Sequence, residues 1–334
     1  MESEVSVSSG AVSKDASSAT TVTAVVVSYF TGPVLSRAIA SLRQQPEIDA
    51  VILVDNGNFP DDVKNAIAGD GEAPVTVLSG HGNIGFAAAC NLGAREAAGT
   101  ILLFINPDAV MPENGVHQML KDSKGLARPW MMGAKLVGPD GEEQQGSRRE
   151  TLTPWRAFVE LTRLYKIAPQ HPYFRRFNLH AHPCPNDIID VPTLSGACFL
   201  IPKTDYDLID GMDEHYFLHV EDVDFCLRFA KAGGKAYFNP NVSILHFKSS
   251  SRANPVRIEM RKTAGMIRYF KTHFSDAYPR PFLWLVAGAL WAAFGLLFIR
   301  RGIGKILRLV GMRARVGSKG MRRARSISAR QSSR

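Results

Sequence analysis

Four short β-branched runs, at residues 24–28, 51–54, 75–78 and 101–105, begin roughly every 25 residues. Between them lie helical patterns, the first being Val34, Leu35, Ala38, Ile39 and Leu42. Strands that are apolar throughout, rather than in alternate positions, are buried on both faces. Alternating with helices, they require a parallel sheet covered on each side, so the expected class is α/β. Ligands of such sheets sit beyond the carboxyl ends of the strands.

Those ends read Ser28-Tyr29, Asp55-Asn56-Gly57, His81-Gly82-Asn83-Ile84-Gly85 and Asn106-Pro107-Asp108. One Asp-Asn-Gly is an ordinary turn, but polar residues at all four ends along one edge describe a nucleotide cleft. Gly80, Gly82 and Gly85 spell G-x-G-x-x-G. The motif falls in the third strand–helix unit rather than the opening one, which disfavours a dinucleotide cofactor. Asn106-Pro107-Asp108 is either a plain strand-ending turn or a carboxylate offered to a divalent ion that bridges phosphates.

Beyond Met111 the rhythm breaks. Residues 131–137, the turn 138–141 and residues 191–201 suggest antiparallel strands, and 148–192 forms a long insertion containing Arg148, Arg149, Arg156, Arg175 and Arg176. His171, His180 and His182 lack helical spacing in a Pro-rich setting and read as surface loop rather than metal ligands. Residues 205–211 form a turn or helix.

The run from Tyr216 to Arg228 follows. Val223, Cys226, Leu227 and Ala230 recur at i, i+3, i+4, i+7, giving a short helix that Gly233-Gly234 ends and placing Glu221 and Asp222 in its first turn. Free N–H groups and the positive end of the helix dipole favour a carboxylate there, so Asp222 is expected to stay ionised. The two acids either start the helix in solvent or line a cleft as working groups. Strands at 236–238 and 242–245 end at His246, either a half-buried polar residue or a partner of Asp108 and Asp222 at the same edge.

Residues 257–274 read as a basic helix, solvated or facing a membrane. The 19 residues 281–299 carry no charge, hold Trp284 and Trp291, and would span about 28 Å as a helix. Charge follows this layout. The net +9 includes 12 Lys/Arg between Arg300 and Arg334, which leaves −3 for the first 299 residues. A basic tail directly after an apolar run suits an anionic membrane surface, not nucleic acid, which needs its basic patch on the folded body. With the body beside a soluble ligand and the tail held by its charge, a re-entrant or interface-lying segment at the cytoplasmic face is expected rather than a single span. Cys90, Cys184, Cys198 and Cys226 form no zinc spacing or disulfide framework, and no signal peptide is read near the N-terminus.

Taken together, Val25-Val26-Val27-Ser28-Tyr29, Val54-Asp55-Asn56-Gly57, Gly82-Asn83-Ile84-Gly85-Phe86 with Asn91, Asn106-Pro107-Asp108, Ser195-Gly196-Ala197-Cys198, Glu221-Asp222-Val223-Asp224 and His246 resemble the family 2 inverting glycosyltransferases, rhamnosyltransferase-like branch, over residues 22–275. The resemblance implies a GT-A fold: a Rossmann-like nucleotide-binding half, a mixed central sheet and an acceptor half, followed here by a C-terminal helical membrane-associating segment. It divides the chain into a disordered 1–20, a catalytic domain 21–275, an apolar segment 276–299 and a basic tail 300–334.

It also implies roles. Ser28, Tyr29, Asp55, Asn83 and Asn106 would surround the nucleotide, and Asp108 with His246 would hold Mg²⁺ or Mn²⁺ on the diphosphate. Gly196, Ala197 and Cys198 would line the acceptor or donor sugar, Asp222 would be the general base and Glu221 would orient acceptor or base. Many relatives carry Asp-x-Asp where Asn106-Pro107-Asp108 stands, so this chain offers one carboxylate fewer. The implied substrates are a nucleotide-sugar donor, dTDP-rhamnose first, and a lipid-linked or polysaccharide acceptor. A sugar nucleotidyltransferase would need a basic, glycine-rich loop after the first strand, and residues 28–33 contain no Lys or Arg. A non-catalytic nucleotide-sugar-binding scaffold is the remaining alternative.

Overall fold

The parallel half forms as its pattern requires. In the computed structural model, which describes residues 20–168, 171–248 and 254–300, β1 (Val22–Ser28), β2 (Ile48–Asp55), β3 (Val75–Leu78) and β4 (Ile101–Ile105) alternate with α1 (Val34–Arg43), α2 (Pro60–Ile67) and α3 (Phe86–Glu96). The disordered N-terminus and basic tail expected from sequence fall, but for Thr20 and Arg300, outside the described residues. All of β1 is buried. Its alternate side chains feed opposite cores: Val22, Ala24 and Val26 meet Leu35, Ile39 and Leu42 of α1, while Val25 and Val27 meet Ala87, Cys90 and Ala94 of α3.

The other half is interleaved. It comprises β5 (Ala109–Val110), α4 (Gly115–Ser123), β6 (Trp130–Val137), β7 (Arg148–Arg149), α5 (Pro154–Thr162), β8 (Ile189–Asp190), β9 (Thr193–Leu194), β10 (Cys198–Pro202), α6 (Lys203–Asp207), α7 (Glu221–Lys231), β11 (Lys235–His246) and α8 (Pro255–Phe274). The sheet runs β3-β2-β1-β4-β10-β6-β11-β5, with β8 on β11, and β7 pairs with β9 as a separate ribbon. Strand β10 is antiparallel to β4 and β6, whereas β11 is parallel to β6. The sheet is therefore mixed.

Three sequence expectations change here. The run 191–201 is not one strand: residues 195–197 turn between β9 and β10, which join different sheets. The runs 236–238 and 242–245 merge into β11, whose register slips between Asn239 and Ser243. On α7, Ala230 is exposed and the buried face is Val223, Phe225, Cys226 and Phe229. This helix packs on two sides at once: Phe225, Cys226 and Phe229 join the core under the sheet, and Val223 joins a third cluster with Tyr269 and Phe270 of α8.

That second contact carries a buried ion pair. Asp224, 1% exposed, receives Arg228 Nε at 2.7 Å and lies 2.6 Å from His273 Nε2 of α8. The apolar side of α8 thus packs against α7 instead of facing outward. Beyond it lies α9 (Arg280–Arg300), whose apolar stretch is mostly exposed. Among the described residues it is the one helix long and apolar enough to cross a membrane.

Candidate active site

Register assembles the cleft edge. Ser28 pairs with Asp55, so the ends of β1 and β2 lie side by side. Ser28 is fully buried and its hydroxyl bonds Asn58 Oδ1 (3.0 Å) and Thr31 Oγ1 (2.7 Å). Asp55 Oδ1 accepts from Gly57 N (2.9 Å), Asn58 N (2.8 Å) and Asn58 Nδ2 (2.7 Å). Tyr29, half-buried, stands edge-on to Phe30 at 4.7 Å. These residues shape the first two loops through their own hydrogen bonds and ring packing.

The third loop is pinned across the half-domains. Asn83 Oδ1 accepts from Gly85 N (3.1 Å), and Asn56 Nδ2 donates to Gly85 O (3.0 Å). Gly85 has φ +91° and a Cβ there would lie 2.7 Å from Phe217 O, so only glycine fits. Phe86 N donates to that same carbonyl at 2.8 Å, tying the start of α3 to the segment before α7. Asn56 has no sequence role above, and its buried Oδ1 lacks a partner among the described residues.

The fourth end brings Asp108 to His246. Strand β5 pairs Ala109 with His246, which leaves Asp108 Oδ1 3.2 Å from His246 Nε2, each side chain 8% exposed. Asn106 Nδ2 is 3.3 Å from the same nitrogen. Gln144 fixes the ring from behind: its Nε2 donates to His246 O at 2.6 Å, so its Oε1, 2.9 Å from His246 Nδ1, is the acceptor. Nδ1 therefore carries a proton, and Nε2 is turned to Asp108 Oδ1 and Asn106 Nδ2. An imidazole nitrogen and a carboxylate oxygen turned to one point are a donor set that suits a divalent cation. No group of three or more His, Cys, Asp or Glu stands together among the described residues. Asp108 and His246 are therefore the two side chains here that could hold such an ion, and Gln144, which sequence reasoning missed, would support His246 from behind.

Asp222 sits at the start of α7 after two consecutive left-handed residues, His219 (φ 67°) and Val220 (φ 74°). For a β-branched residue this is strained backbone, held by the packing of Val220 in the third cluster. Asp222 Oδ2 accepts from Arg149 Nη2 at 2.5 Å and Gly196 N at 3.1 Å, and Oδ1 accepts from Val223 N at 2.8 Å. Burial alone would raise its pKa, but the Arg149 guanidinium and the Gly196 N–H hold the carboxyl below its usual range. Its ionised state follows from this arginine more than from the helix end. Glu221 is displaced oppositely: burial, then the Asp222 charge beside it, raises its pKa, and its Oε2 is buried without a partner among the described residues.

Gly196 and Ala197 join the two centres. Gly196 N–H reaches Asp222, and Ala197 O accepts from Asn106 N at 2.8 Å, so the Asn106-Pro107-Asp108 turn and the Asp222 carboxylate hang on adjacent residues. A Cβ on Gly196 would lie 3.2 Å from Asp222 Cβ. Cys198, by contrast, is 1% exposed in the core, so its side chain does not line the cleft and the expected sugar contact is corrected to a packing position.

Sequence reasoning also missed Arg149, noted only as one arginine of the insertion. Its Nη2 also bonds Leu194 O, and its guanidinium lies 5.5 Å over Phe177. The signal available was an Arg-Arg pair where the chain re-enters a strand; the structure divides it, sending Arg148 to Glu143 and Arg149 to Asp222.

The fold and this site define a glycosyltransferase of GT-A architecture. A GalNAc-T7 structure with UDP, GalNAc and Mn²⁺ aligns with TM-score 0.54 at 14% identity, over 77% of this chain and 48% of that one, so the chain spans about half its length. The Pyrobaculum calidifontis mannosyltransferase PcManGT, in complex with GDP-Man and Mn²⁺, aligns with TM-score 0.50 at 16% identity, over 81% and 68%. Residues 23–166 match the family model for glycosyl transferase family 2. Over 305 residues, 86% of this chain and 96% of the relative, the sequence is 26% identical to the N-acetylglucosaminyl-diphospho-decaprenol L-rhamnosyltransferase of Mycobacterium tuberculosis. A stretch of 53 residues, 16% of this chain and 20% of the relative, is 32% identical to rhamnosyltransferase WbbL of Escherichia coli K12. The chain is thus a glycosyltransferase similar to family 2 over residues 23–166, and the curated proteins it resembles are rhamnosyltransferases.

Proposed function

We propose that this chain transfers rhamnose from dTDP-rhamnose, with inversion, to a hydroxyl of an N-acetylglucosaminyl-diphospho-polyprenol at the cytoplasmic face of a membrane. The observation that carries it is the Gly196-Ala197 link, which sets the Asp108–His246 pair and the Asp222 carboxylate on either side of one turn. The likeness over 86% of this chain to an N-acetylglucosaminyl-diphospho-decaprenol L-rhamnosyltransferase supports the choice of sugar and acceptor.

Donor binding falls to the strand ends, with Ser28, Tyr29, Asp55, Asn83 and Asn106 around the nucleotide. Asp108 and His246 would hold Mg²⁺ or Mn²⁺, which supplies charge neutralisation for the departing diphosphate. Asp222, ionised and opposite, takes the acceptor hydroxyl's proton as its oxygen attacks the anomeric carbon. One displacement inverts that centre. Glu221 stays neutral beside it, so a second negative charge does not compete for the same proton.

The acceptor is lipid-linked in this reading, and α9 fits it. Trp284 is 71% exposed, Leu296 63% and Ile299 55%, an apolar surface directly before the basic residues from Arg300. Attachment is monotopic, against an anionic surface. The domain division at 276 and 300 follows from the same layout.

The test is transfer to a short-chain N-acetylglucosaminyl-diphospho-prenol from a panel of dTDP-rhamnose, UDP-glucose, UDP-N-acetylglucosamine and GDP-mannose, with Mg²⁺, Mn²⁺ or chelator. Preference for dTDP-rhamnose with inverted product and loss on chelation is the expected result. Preference for another donor overturns the sugar, and nucleotide-sugar binding without turnover on any acceptor returns the scaffold reading.

A further inference from the structure

Arg149 arrives at the site from outside both motif-bearing segments. It sits on the two-residue strand β7, whose pairing with β9 (Arg149 opposite Thr193) aims it at the start of α7. Its side chain is 11% exposed and that of Asp222 17% exposed, so little water screens the pair. Three contacts fix the guanidinium: Asp222 Oδ2, Leu194 O and the Phe177 ring. A surface salt bridge would have none of this support.

The two carboxylate oxygens of Asp222 are unequal as a result. Oδ2 receives both Arg149 Nη2 and Gly196 N, which fills its acceptor capacity, whereas Oδ1, among the described residues, receives Val223 N alone. We propose that Arg149 is a positioning residue of the transfer: by occupying Oδ2 and fixing the plane of the carboxylate, it makes Oδ1 the oxygen that accepts the proton. This rests on Asp222 being the general base. In the step, the acceptor O–H bond breaks and its proton bonds to Oδ1. The acceptor oxygen forms the new bond to the anomeric carbon, and the pair from the broken glycosyl–phosphate bond leaves on the nucleoside diphosphate.

A second duty follows from charge. A base this enclosed would otherwise be protonated by burial, and the cation keeps it available at low pH. The groups that face Asp222 are Arg149 from β7, Glu221 and Cys226 on its own helix and His219 from the preceding loop. Behind them, Lys262 and Glu259 of α8 face His219, Lys248 after β11 faces Arg149, and Cys90 of α3 faces Glu221. Among the groups that touch its carboxylate, Arg149 supplies the cationic contact.

The experiment is kcat/KM against pH for the full chain and for Arg149→Gln and Arg149→Lys, with Asp222→Asn as reference and donor binding measured for each. Wild type is expected to have its acidic limb below the ordinary carboxylate range, because activity falls as Asp222 gains a proton. Arg149→Gln should move that limb up by about 1–3 pH units with donor binding unchanged. Arg149→Lys keeps the charge but loses the planar fork, so the limb should stay low while kcat falls about 10-fold. An Arg149→Gln enzyme equally slowed at every pH, or an Arg149→Lys enzyme with wild-type kcat, overturns the proposal. Should Arg149→Gln not fold, the Arg149→Lys result alone decides. Full transfer by Asp222→Asn is a different failure, that of the general-base reading itself.

Discussion

The parallel half of the sheet and the interleaved half are built over different chain distances. In the first, contacts that shape the cleft join neighbouring units: Ser28 to Asn58 spans 30 residues and Asn56 to Gly85 spans 29. In the second, Arg149 reaches Asp222 across 73 residues and Gln144 reaches His246 across 102. Consecutive βα units bring their own loops to the edge, so motif and site coincide. Interleaved strands do not: β10 lies between β4 and β6 only after the insertion has been passed, and loop closure over such lengths yields no local signal.

The largest effect expected on this contrast is from Asp222→Asn. Donor binding, in which Asp222 has no proposed part, should remain near wild type while transfer falls by about 10²–10⁴, the span of general-base contributions. Steady-state transfer with parallel donor titration checks it, and a matching fall in donor binding would merge the halves functionally. Next is Asp224→Ala, which removes the buried carboxylate that Arg228 and His273 share and should cost about 3–5 kcal/mol in denaturant unfolding. If the halves are separable, tryptophan and far-ultraviolet signals will then unfold in different ranges. A single unchanged transition would show that α7 and α8 are held by their apolar contacts alone.

Gln144→Ala comes third. Loss of the support behind His246 should weaken Mn²⁺ binding about 10–100-fold by calorimetry in the presence of nucleoside diphosphate, with fold stability little changed. It tests whether the second half governs an event usually credited to the first. Smallest is Thr153→Ala, which removes the cap that Thr153 Oγ1 provides to Arg156 N at 3.1 Å at the start of α5. About 1 kcal/mol is expected, readable as a small drop in Tm.

Legibility in sequence followed the same division. Residues 24–28, 51–54, 75–78 and 101–105 declare β1 to β4 because doubly buried strands are continuously apolar, and their ends declare Asp55, Asn83 and Asp108. Helix α7 was legible by period, yet its buried face was misread because Asp224, a charged residue, is placed inside by partners on α8 that no local pattern announces. Cys198 was read into the cleft because it follows Gly196-Ala197, but alternation in β10 turns it into the core. Gln144 gives no sign in the sequence, and the Arg148-Arg149 pair does not say which of the two turns to the cleft. Nothing in an arginine's neighbours reveals a carboxylate 73 positions away.

The reach of Arg149 also has a bearing on recombination between relatives. The stretch matching the family model ends at residue 166, with Arg149 inside it and Asp222 beyond it. A chimera joined at that border would pair one parent's guanidinium with the other parent's carboxylate. Swaps meant to change the acceptor therefore carry β7 and α7 together, and the unit of inheritance at this site is a pair of distant residues rather than a contiguous module.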